Sequence, residues 1–509
     1  MSAANADKQA IVTLPQTQDM AAQFQAVGAA AALSKAAAWL GTLGKTPGAS
    51  LGQRYVSVDL IDTSTRHHQK QILDDYLALP RTRRAQERML WVSAHDFWVA
   101  LSAAYLECMA AVPREPKSAA EMTAKLPVLA ARGVRAAAMQ IKWISFRFGL
   151  VEPWVWSNLA RCLRFAELHD IADTEVILYL SNPTSTSANK AFLRAVMLSA
   201  SCTESLSVME QEMADRWIEY FADRFLLDRR AGPAVNLYFD LDHALPPRRI
   251  MGTPAKAAHR RFIGGLEVLP HIQKHIESVR EAGAAAVPFA LPRDSEIKSV
   301  IKVLEHLALH WSTQQPARVW ERRPTTTCLE IKHDYRSLRE ILENTAQGVR
   351  AADDKARPEY WIVDNAGRGG YSAIVPKGLR AWLHLGVLIA IRLEYQNFWS
   401  AAVIRRVETD EHHQHKVGIR VVARRPVAAL LRSTQRSGKQ ARTEPGILLN
   451  TKPSGNGGVH VLMRPSTFTL DEDIDASFGA DNAQSLALTP SRVVESTLDY
   501  EWVRYEVKR

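Results

Sequence analysis

The spacing of hydrophobic residues changes near the middle of the chain. Between residues 64 and 230, apolar residues recur every three or four positions, which is the period of amphipathic helices. From residue 316 onward, short runs rich in β-branched residues alternate with polar residues or stand between turn residues, as strands do. The pattern therefore predicts an α+β, multidomain protein with an all-helical N-terminal region and a β-rich C-terminal part.

Prolines and glycines divide the N-terminal pattern into separate helices. We predict six, at residues 68–79, 85–108, 118–148, 153–172, 189–200 and 205–227, with Pro127 as a kink or a further break in the third. Residues 55–62 (YVSVDLID) alternate between apolar and polar and predict a short strand. Residues 1–50 are rich in Ala, Gln, Ser and Gly and predict a disordered or weakly helical start.

Residues 231–315 have a mixed pattern that predicts an α/β connecting region. Residues 234–241 (AVNLYFDL) predict a strand because of their β-branched and aromatic residues. Two helices follow by periodicity, one at residues 261–281 that is interrupted at Pro270 and one at residues 294–311.

The C-terminal part predicts two β segments. In residues 316–431 we predict one helix at 335–347 and six strands at 325–331, 360–364, 371–375, 388–395, 399–408 and 416–423. Their order predicts a small six-stranded antiparallel β-barrel. Residues 432–509 predict a C-terminal β extension with strands at 446–450, 460–463, 474–478 and 500–507, and the charged residues 432–443 (RSTQRSGKQART) predict a linker between the two segments. The predicted domains are therefore 1–50, 51–230, 231–315, 316–431 and 432–509.

Composition narrows the possible functions. The 509 residues are 47% hydrophobic, carry a formal net charge of +10, and include four scattered cysteines without metal-binding spacing. Because there is no apolar run of eighteen residues and no secretory signal, we expect a cytoplasmic protein without a membrane span. The positive charge favours anionic partners, although a surplus of this size is modest over such a length.

The strongest functional pattern is a glycine-rich turn that follows a pair of arginines. Residues 361–375 (WIVDNAGRGGYSAIV) run from an apolar strand through Asp364 and Asn365 into a turn with three glycines. Arg318 and Arg322 stand upstream at the spacing Arg-x-x-x-Arg. Glycines let a backbone approach a ligand closely, and paired guanidiniums bind phosphates and guanine edges. Together these residues predict a nucleotide site.

With these motifs, residues 316–430 resemble the PilZ domain, a barrel found in bacterial receptors for cyclic di-GMP. The matching segments are RVWER at 318–322, NAGRGGY at 365–371, GVLIAIR at 386–392, AAVIRRV at 401–407 and VGIRVV at 417–422. The resemblance implies that Arg318 and Arg322 bond to and stack on the nucleotide. It also implies that Asn365 bonds a guanine edge and that Gly370 lets the backbone approach the base. Long proteobacterial members of this family also have a helical N-terminal region and a C-terminal β extension.

One position departs from the family motif, which is Asp/Asn-x-Ser-x-x-Gly. The serine position is Gly367 if Asn365 opens the motif, or Ala366 if Asp364 opens it, so a hydroxyl is missing in either register. One hydrogen bond lost to an anionic ligand is worth roughly 1.5–3 kcal/mol, which is about one to two decades in affinity. The departure weakens nucleotide binding without forbidding it.

Two further arginines belong to the candidate site. Arg368 lies inside the turn and can replace the missing donor, and Arg323 offers an alternative register for the arginine pair. The candidate cyclic di-GMP site is Arg318, Arg322, Arg323, Asp364, Asn365, Gly367, Arg368 and Gly370.

These patterns predict a cyclic di-GMP receptor without a cofactor or enzymatic activity. Such a receptor passes the level of the second messenger to an unidentified protein partner through its helical region, in motility or surface attachment. A second hypothesis is a degenerate PilZ-like adaptor that binds no nucleotide, which the missing serine favours. Binding of single-stranded nucleic acid to the barrel ranks below both, because few aromatics are interleaved with Lys and Arg in the strands.

Residue types that often act in catalysis or bind metals do not occur here at the spacings that those functions require. No Ser–His–Asp, Cys–His or paired-carboxylate pattern stands out, so we expect no catalytic residues. The run EHHQH at 411–415 lies between two predicted strands and predicts a solvated loop rather than a metal site.

Overall fold

Two compact units, Met1–Ala317 and Arg318–Arg509, make up the chain. The computed structural model describes residues 14–43, 49–80, 83–243, 245–251, 258–292, 295–313, 322–346, 358–367, 369–376, 382–394, 396–409, 414–433, 442–453, 458–469, 472–479 and 482–508. A helical N-terminal region and a β-rich C-terminal part with closed barrels confirm the predicted α+β, multidomain class.

The first unit is built mainly from helices. They are α1 (Leu14–Phe24), α2 (Ala29–Leu43), α3 (Leu51–Ser64), α4 (Arg66–Ala78), α5 (Arg84–Ala111), α6 (Pro116–Glu121), α7 (Leu126–Ser145), α8 (Pro153–Leu168), α9 (Ala188–Ala200), α10 (Val208–Tyr220), α11 (Leu269–Ala282) and α12 (Ile297–Trp311). Helix α7 is central, since most of its residues are buried and it packs against α5, α8 and α9. In the part of the chain that the structure describes, no helix has the length and apolarity needed to cross a bilayer.

The strand predicted at residues 55–62 is wrong, because these residues lie in α3. Ser50 caps this helix: its hydroxyl accepts from the Gln53 backbone N–H, and the Gln53 side chain accepts from the Ser50 N–H. The alternating pattern was ambiguous, since Tyr55, Val58 and Asp62 also share one helix face, and that face is buried. The Ser-x-x-Gln spacing was the sequence signature of the helix start.

The N-terminal segment also differs from the prediction of disorder or weak helicity. Its described residues form α1 and α2, and α2 packs against α5. Ala32, Ala36 and Leu40 of α2 are buried at four-residue spacing. Small alanine side chains bury little area each, so composition alone underestimated this amphipathic face.

Two small β elements complete the first unit. Strands β1 (Val176–Tyr179) and β2 (Asn182–Thr186) form an unpredicted hairpin between α8 and α9. A four-stranded sheet has the order β3-β6-β4-β5 and consists of β3 (Leu226–Asp228), β4 (Leu237–Asp240), β5 (Arg248–Arg249) and β6 (Arg260–Gly264). The helix predicted at 261–281 is therefore wrong in its first part, and α11 begins only at Leu269 with Pro270 in its first turn.

The second unit begins with a closed barrel of six antiparallel strands in the order β10-β11-β12-β9-β8-β7. They are β7 (Arg322–His333), β8 (Glu359–Gly367), β9 (Gly370–Ile374), β10 (Leu388–Leu393), β11 (Ser400–Thr409) and β12 (His415–Ala423), with α13 (Tyr335–Ala346) after β7. The six predicted strands thus occur in the predicted order. Buried Leu329, Trp361 and Val363 on adjacent strands contribute to the barrel core.

The predicted C-terminal extension is a second closed barrel, with strand order β13-β14-β15-β18-β17-β16. Its strands are β13 (Val427–Ser433), β14 (Thr443–Leu448), β15 (Gly458–Met463), β16 (Ile474–Phe478), β17 (Gln484–Ser496) and β18 (Glu501–Val507). The linker predicted at 432–443 is wrong, because Arg432 and Thr443 pair on β13 and β14. Arg432 and Thr443 belong to one hairpin of the second barrel. The first barrel ends with β12, and the second begins with β13.

Helix α13 joins the two barrels into one unit. Its Leu338 and Ile341 share a hydrophobic core with Leu388 of the first barrel and Ile447 of the second. The Tyr335 hydroxyl donates to the carbonyl oxygen of Pro445 at 2.9 Å. The helix predicted at 335–347 therefore lies between the barrels as a shared part of their core.

Candidate functional site

The candidate site lies where β7 begins and β8 turns into β9. In the antiparallel β7–β8 pair, Arg322 is opposite Gly367, and Arg323 is opposite Ala366. Arg318 and Arg368 lie outside the described residues. The register alone thus brings the start of β7, which continues the Arg-x-x-x-Arg segment, to the glycine-rich turn at one end of the barrel.

Glycine at position 370 is required by the barrel itself. In the β8–β9 hairpin, Gly367 pairs with Gly370. A Cβ atom at Gly370 would lie 1.9 Å from the carbonyl oxygen of Ile419 on β12, a distance that real Cβ atoms do not reach. Gly369 accepts a backbone hydrogen bond from Val421 at 3.0 Å, so the turn is fixed to β12. The close approach expected at Gly370 is thus made first of all to a neighbouring strand.

Asp364 is part of the barrel wall. It lies at a bulge, since the β8–β9 register shifts between Val363 and Asn365. Its carboxylate forms an ion pair with Lys416 of β12. Burial is the largest single influence and raises the pKa of Asp364, but Lys416 and Ser372 together outweigh it and hold the pKa below its usual range.

Asn365 follows the bulge at a half-buried position, opposite Pro324 on β7 and Ser372 on β9. Bulges commonly re-aim side chains beside functional sites. The two residues that can open the motif thus lie side by side, with Asp364 paired to Lys416 and Asn365 directly after the bulge.

Two residues of this barrel end were not singled out by the sequence pattern. Lys416 holds Asp364, and Arg420 is exposed on β12 directly opposite Gly370. The sequence signal for Arg420 was a single arginine inside the apolar run VGIRVV, and it is the exposed residue of a strand whose other residues are buried or half-buried. It adds a cation at the glycine-rich turn.

The histidine run at 411–415 falls partly outside the described residues, which include Gln414 and His415 but not residues 411–413. The loop prediction is wrong at His415, which begins β12 and pairs with Thr409, and it stays a prediction for residues 411–413.

The comparison with known protein families concerns the first unit. No curated protein sequence matches the chain significantly. Residues 15–232 match the family model described as "Cyclic-di-GMP receptor FimW, N-terminal domain". The matched stretch runs from within α1 to the segment after β3, so it includes α2 to α10 and the β1–β2 hairpin. The helical part of this chain is thus similar to the N-terminal domain of the cyclic-di-GMP receptor FimW.

Proposed function

We propose that this protein is a receptor for cyclic di-GMP whose nucleotide site lies at the end of the first barrel, where β7 begins and β8 turns into β9. The observation that carries the proposal is the register that sets Arg322 opposite Gly367. This register brings the last residue of the Arg-x-x-x-Arg segment to the glycine-rich turn, which supports one nucleotide site made by both motifs. The similarity of residues 15–232 to the N-terminal domain of a cyclic-di-GMP receptor supports the same ligand independently.

The residue types at this barrel end suit a doubly anionic ligand with planar purine bases. Guanidiniums bond phosphate oxygens and guanine acceptors in pairs and stack on purine faces, a role we assign to Arg318 and Arg322, with Arg323 as a neighbouring donor. Asn365 supplies an amide for a guanine edge. Arg368 and the exposed Arg420 provide further positive charge at the turn.

Binding at this site also offers a route to the protein partner. Arg318 is the first residue of the second unit, next to the boundary at Ala317. We infer that nucleotide binding at Arg318 changes how the helical unit is presented to a partner protein. Motility or surface attachment is the process in which we expect that partner to act.

Calorimetric titration of the full chain with cyclic di-GMP tests the proposal. We expect a Kd in the micromolar range or tighter for the wild type, and loss of measurable binding in Arg322→Ala and in Arg318→Ala. Arg336→Ala is the matched control, because Arg336 is 81% exposed on α13 and its loss changes the net charge equally. Circular dichroism spectra equal to wild type show that the variants are folded. Absence of heat from the wild type at high protein concentration would refute the receptor proposal.

The alternative function is an adaptor that keeps the barrel but binds no nucleotide. Gly367, at the position of the motif serine, favours it because it removes one hydrogen bond to the ligand. The two functions differ in one measurement: an adaptor gives the same calorimetric trace for the wild type and Arg322→Ala.

A further inference from the structure

Three side chains with metal-binding atoms converge on the four-stranded sheet of the first unit. Asp240 is the last residue of β4 and pairs with Arg260, the first residue of β6. This register also places His259 beside Asp240, and the turn after β4 returns His243 to the same carboxylate. The two oxygens of Asp240 lie 3.0 Å from His243 Nδ1 and 3.3 Å from His259 Nε2.

A second carboxylate orients one of the two imidazoles. His259 Nδ1 lies 3.2 Å from an oxygen of Asp242, which also pairs with Arg164. A proton on Nδ1 therefore has an acceptor in Asp242, and the lone pair of Nε2 is left facing Asp240. Metal-binding histidines are usually held by such a carboxylate on their other nitrogen. The Asp242 contact is thus an observation independent of the three converging ligands.

We propose that Asp240, His243 and His259 form a binding site for a divalent transition-metal ion, with zinc as the representative ion. Two imidazole nitrogens and one carboxylate oxygen suit zinc and its neighbours, whereas magnesium and calcium prefer oxygen ligands alone. Tetrahedral ligands around zinc lie roughly 3.4 Å apart. The atoms of this cluster lie within 4.8 Å of one another, so a small movement of the imidazoles completes the site.

Neighbouring residues show where a fourth ligand of the metal ion could bind and which cation competes with the ion for Asp240. The His243 side chain is 65% exposed, which leaves the ion open to water on that side. Arg260 Nε lies 3.6 Å from Asp240, and its guanidinium stacks over Tyr238. A bound ion competes with Arg260 for the carboxylate. Because its ligands come from the end of β4 and the start of β6, the ion fastens these two strands together.

The experiment titrates the full chain, freed of metal by a chelator, with zinc chloride in the presence of a chromophoric competitor. We expect one competed ion per chain and a higher Tm with zinc. His243→Gln is the main variant, because this exposed side chain can be replaced without disturbing the core. We expect it to weaken zinc binding at least about tenfold. Asp242→Asn, which removes the orienting carboxylate, is expected to weaken it by about 10- to 100-fold.

A variant with His412→Ala and His413→Ala is the matched control for adventitious binding to the histidine run. It is expected to keep the competed ion. Thermal unfolding of each variant is also measured without metal. A Tm equal to that of metal-free wild type shows that the variant has lost zinc affinity and not stability. Each of three results would overturn the site. They are failure of the wild type to compete for zinc, unchanged affinity in a variant that carries both His243→Gln and His259→Gln, and loss of the ion in the His412→Ala/His413→Ala control.

Discussion

Asp364 on β8 and Lys416 on β12 form an ion pair across β9, the strand between them. The pair lies next to the candidate nucleotide site, and it links two strands of the barrel wall. Asp364 therefore takes part in the barrel wall, whereas the role that we propose for its neighbour Asn365 is in nucleotide binding.

The first prediction concerns Lys416→Met, which leaves the half-buried Asp364 carboxylate without its cation. We expect a loss of about 1 kcal/mol in local stability at pH 7. Since the folded pKa of Asp364 is lowered, its stabilisation is present above the unfolded pKa of about 3.9 and is lost as pH falls through the folded pKa. The difference from wild type is thus expected to shrink below pH 4. Hydrogen exchange of the β8–β9 amides across this pH range measures it.

Lys452→Met is the control for this experiment, because Lys452 is exposed in a turn of the second barrel. It is expected to change stability by less than about 0.5 kcal/mol. A Lys416→Met effect that does not depend on pH would contradict the assigned role of Asp364.

The second prediction concerns a variant that restores the hydroxyl missing from the motif. Gly367→Ser is expected to strengthen cyclic di-GMP binding by about one to two decades, because one hydrogen bond to an anionic ligand is gained. Ala366→Ser is the matched control, since it places the hydroxyl in the register that begins at Asp364. Titration calorimetry of both variants distinguishes the registers, and stronger binding by Ala366→Ser alone would show that Asn365 does not open the motif.

The third prediction concerns the structural demand at position 370. Gly370→Ala sets a methyl group against the carbonyl oxygen of Ile419, which is backbone and cannot move aside as a flexible side chain would. We expect a destabilisation of about 2–4 kcal/mol, as for other overpacked or strained sites. Thermal unfolding of the nucleotide-free protein measures it. A variant as stable as wild type would show that the turn at Gly370 does not pack against β12.

Strand positions in the first barrel could be predicted from local pattern, because its strands are rich in β-branched residues and flanked by turn residues. The candidate glycines and arginines could also be found, since each stands at a recognisable spacing. The bulge at Asp364 could not, because it depends on how three strands align. The pairing of Asp364 with Lys416 is likewise a property of the closed barrel, not of either segment.

The errors have equally specific causes. YVSVDLID satisfied both the period of a strand and that of a helix, and only the Ser50–Gln53 capping box decided between them. Residues 432–443 are polar and charged and therefore predicted a linker, but Arg432 and Thr443 pair with each other on the two strands of a β-hairpin. The Asp240–His243–His259 cluster depends on the pairing of β4 with β6, which no sequence spacing reveals.

The fourth prediction tests the connection between the two barrels. Arg405 of β11 donates to both oxygens of Glu495 on β17, one bond measuring 2.8 Å, and Tyr500 donates to the same carboxylate at 3.3 Å. A double-mutant cycle with Arg405→Ala and Glu495→Ala is expected to give a coupling energy of about 1 kcal/mol, because the pair is bidentate and partly buried. Thermal unfolding of the four proteins supplies the values.

The exposed pair Arg336–Glu340, four residues apart on α13, is the matched control for that cycle. Its coupling is expected at about 0.2–0.5 kcal/mol. Equal couplings for the two pairs would mean that Arg405 and Glu495 contribute no more than a surface contact to the joint between the barrels.

The fifth prediction concerns a buried carboxylate in the first unit. Asp62 of α3 is fully buried and accepts hydrogen bonds from the hydroxyls of Tyr105 at 2.7 Å and Tyr179 at 2.8 Å. Gln69 donates to it at 3.0 Å, and the Arg132 guanidinium lies 3.7 Å away. Because these residues come from α4, α5, α7 and β1, the Asp62 side chain on α3 connects the β1–β2 hairpin to four helices.

Asp62→Ala removes the acceptor while its donors stay buried. We expect a loss of about 2–5 kcal/mol in the stability of the first unit, because the buried hydroxyls of Tyr105 and Tyr179 lose their acceptor, whereas Arg132 keeps its ion pair with Asp59. Asp96→Ala is the control, since Asp96 on α5 is 61% exposed, and a change within about 0.5 kcal/mol is expected. Since the proposed nucleotide site lies in the other unit, Asp62→Ala is expected to lower the Tm but to leave cyclic di-GMP affinity unchanged. If nucleotide affinity falls together with the Tm, the helical unit takes part in binding, and the site is not confined to the barrel.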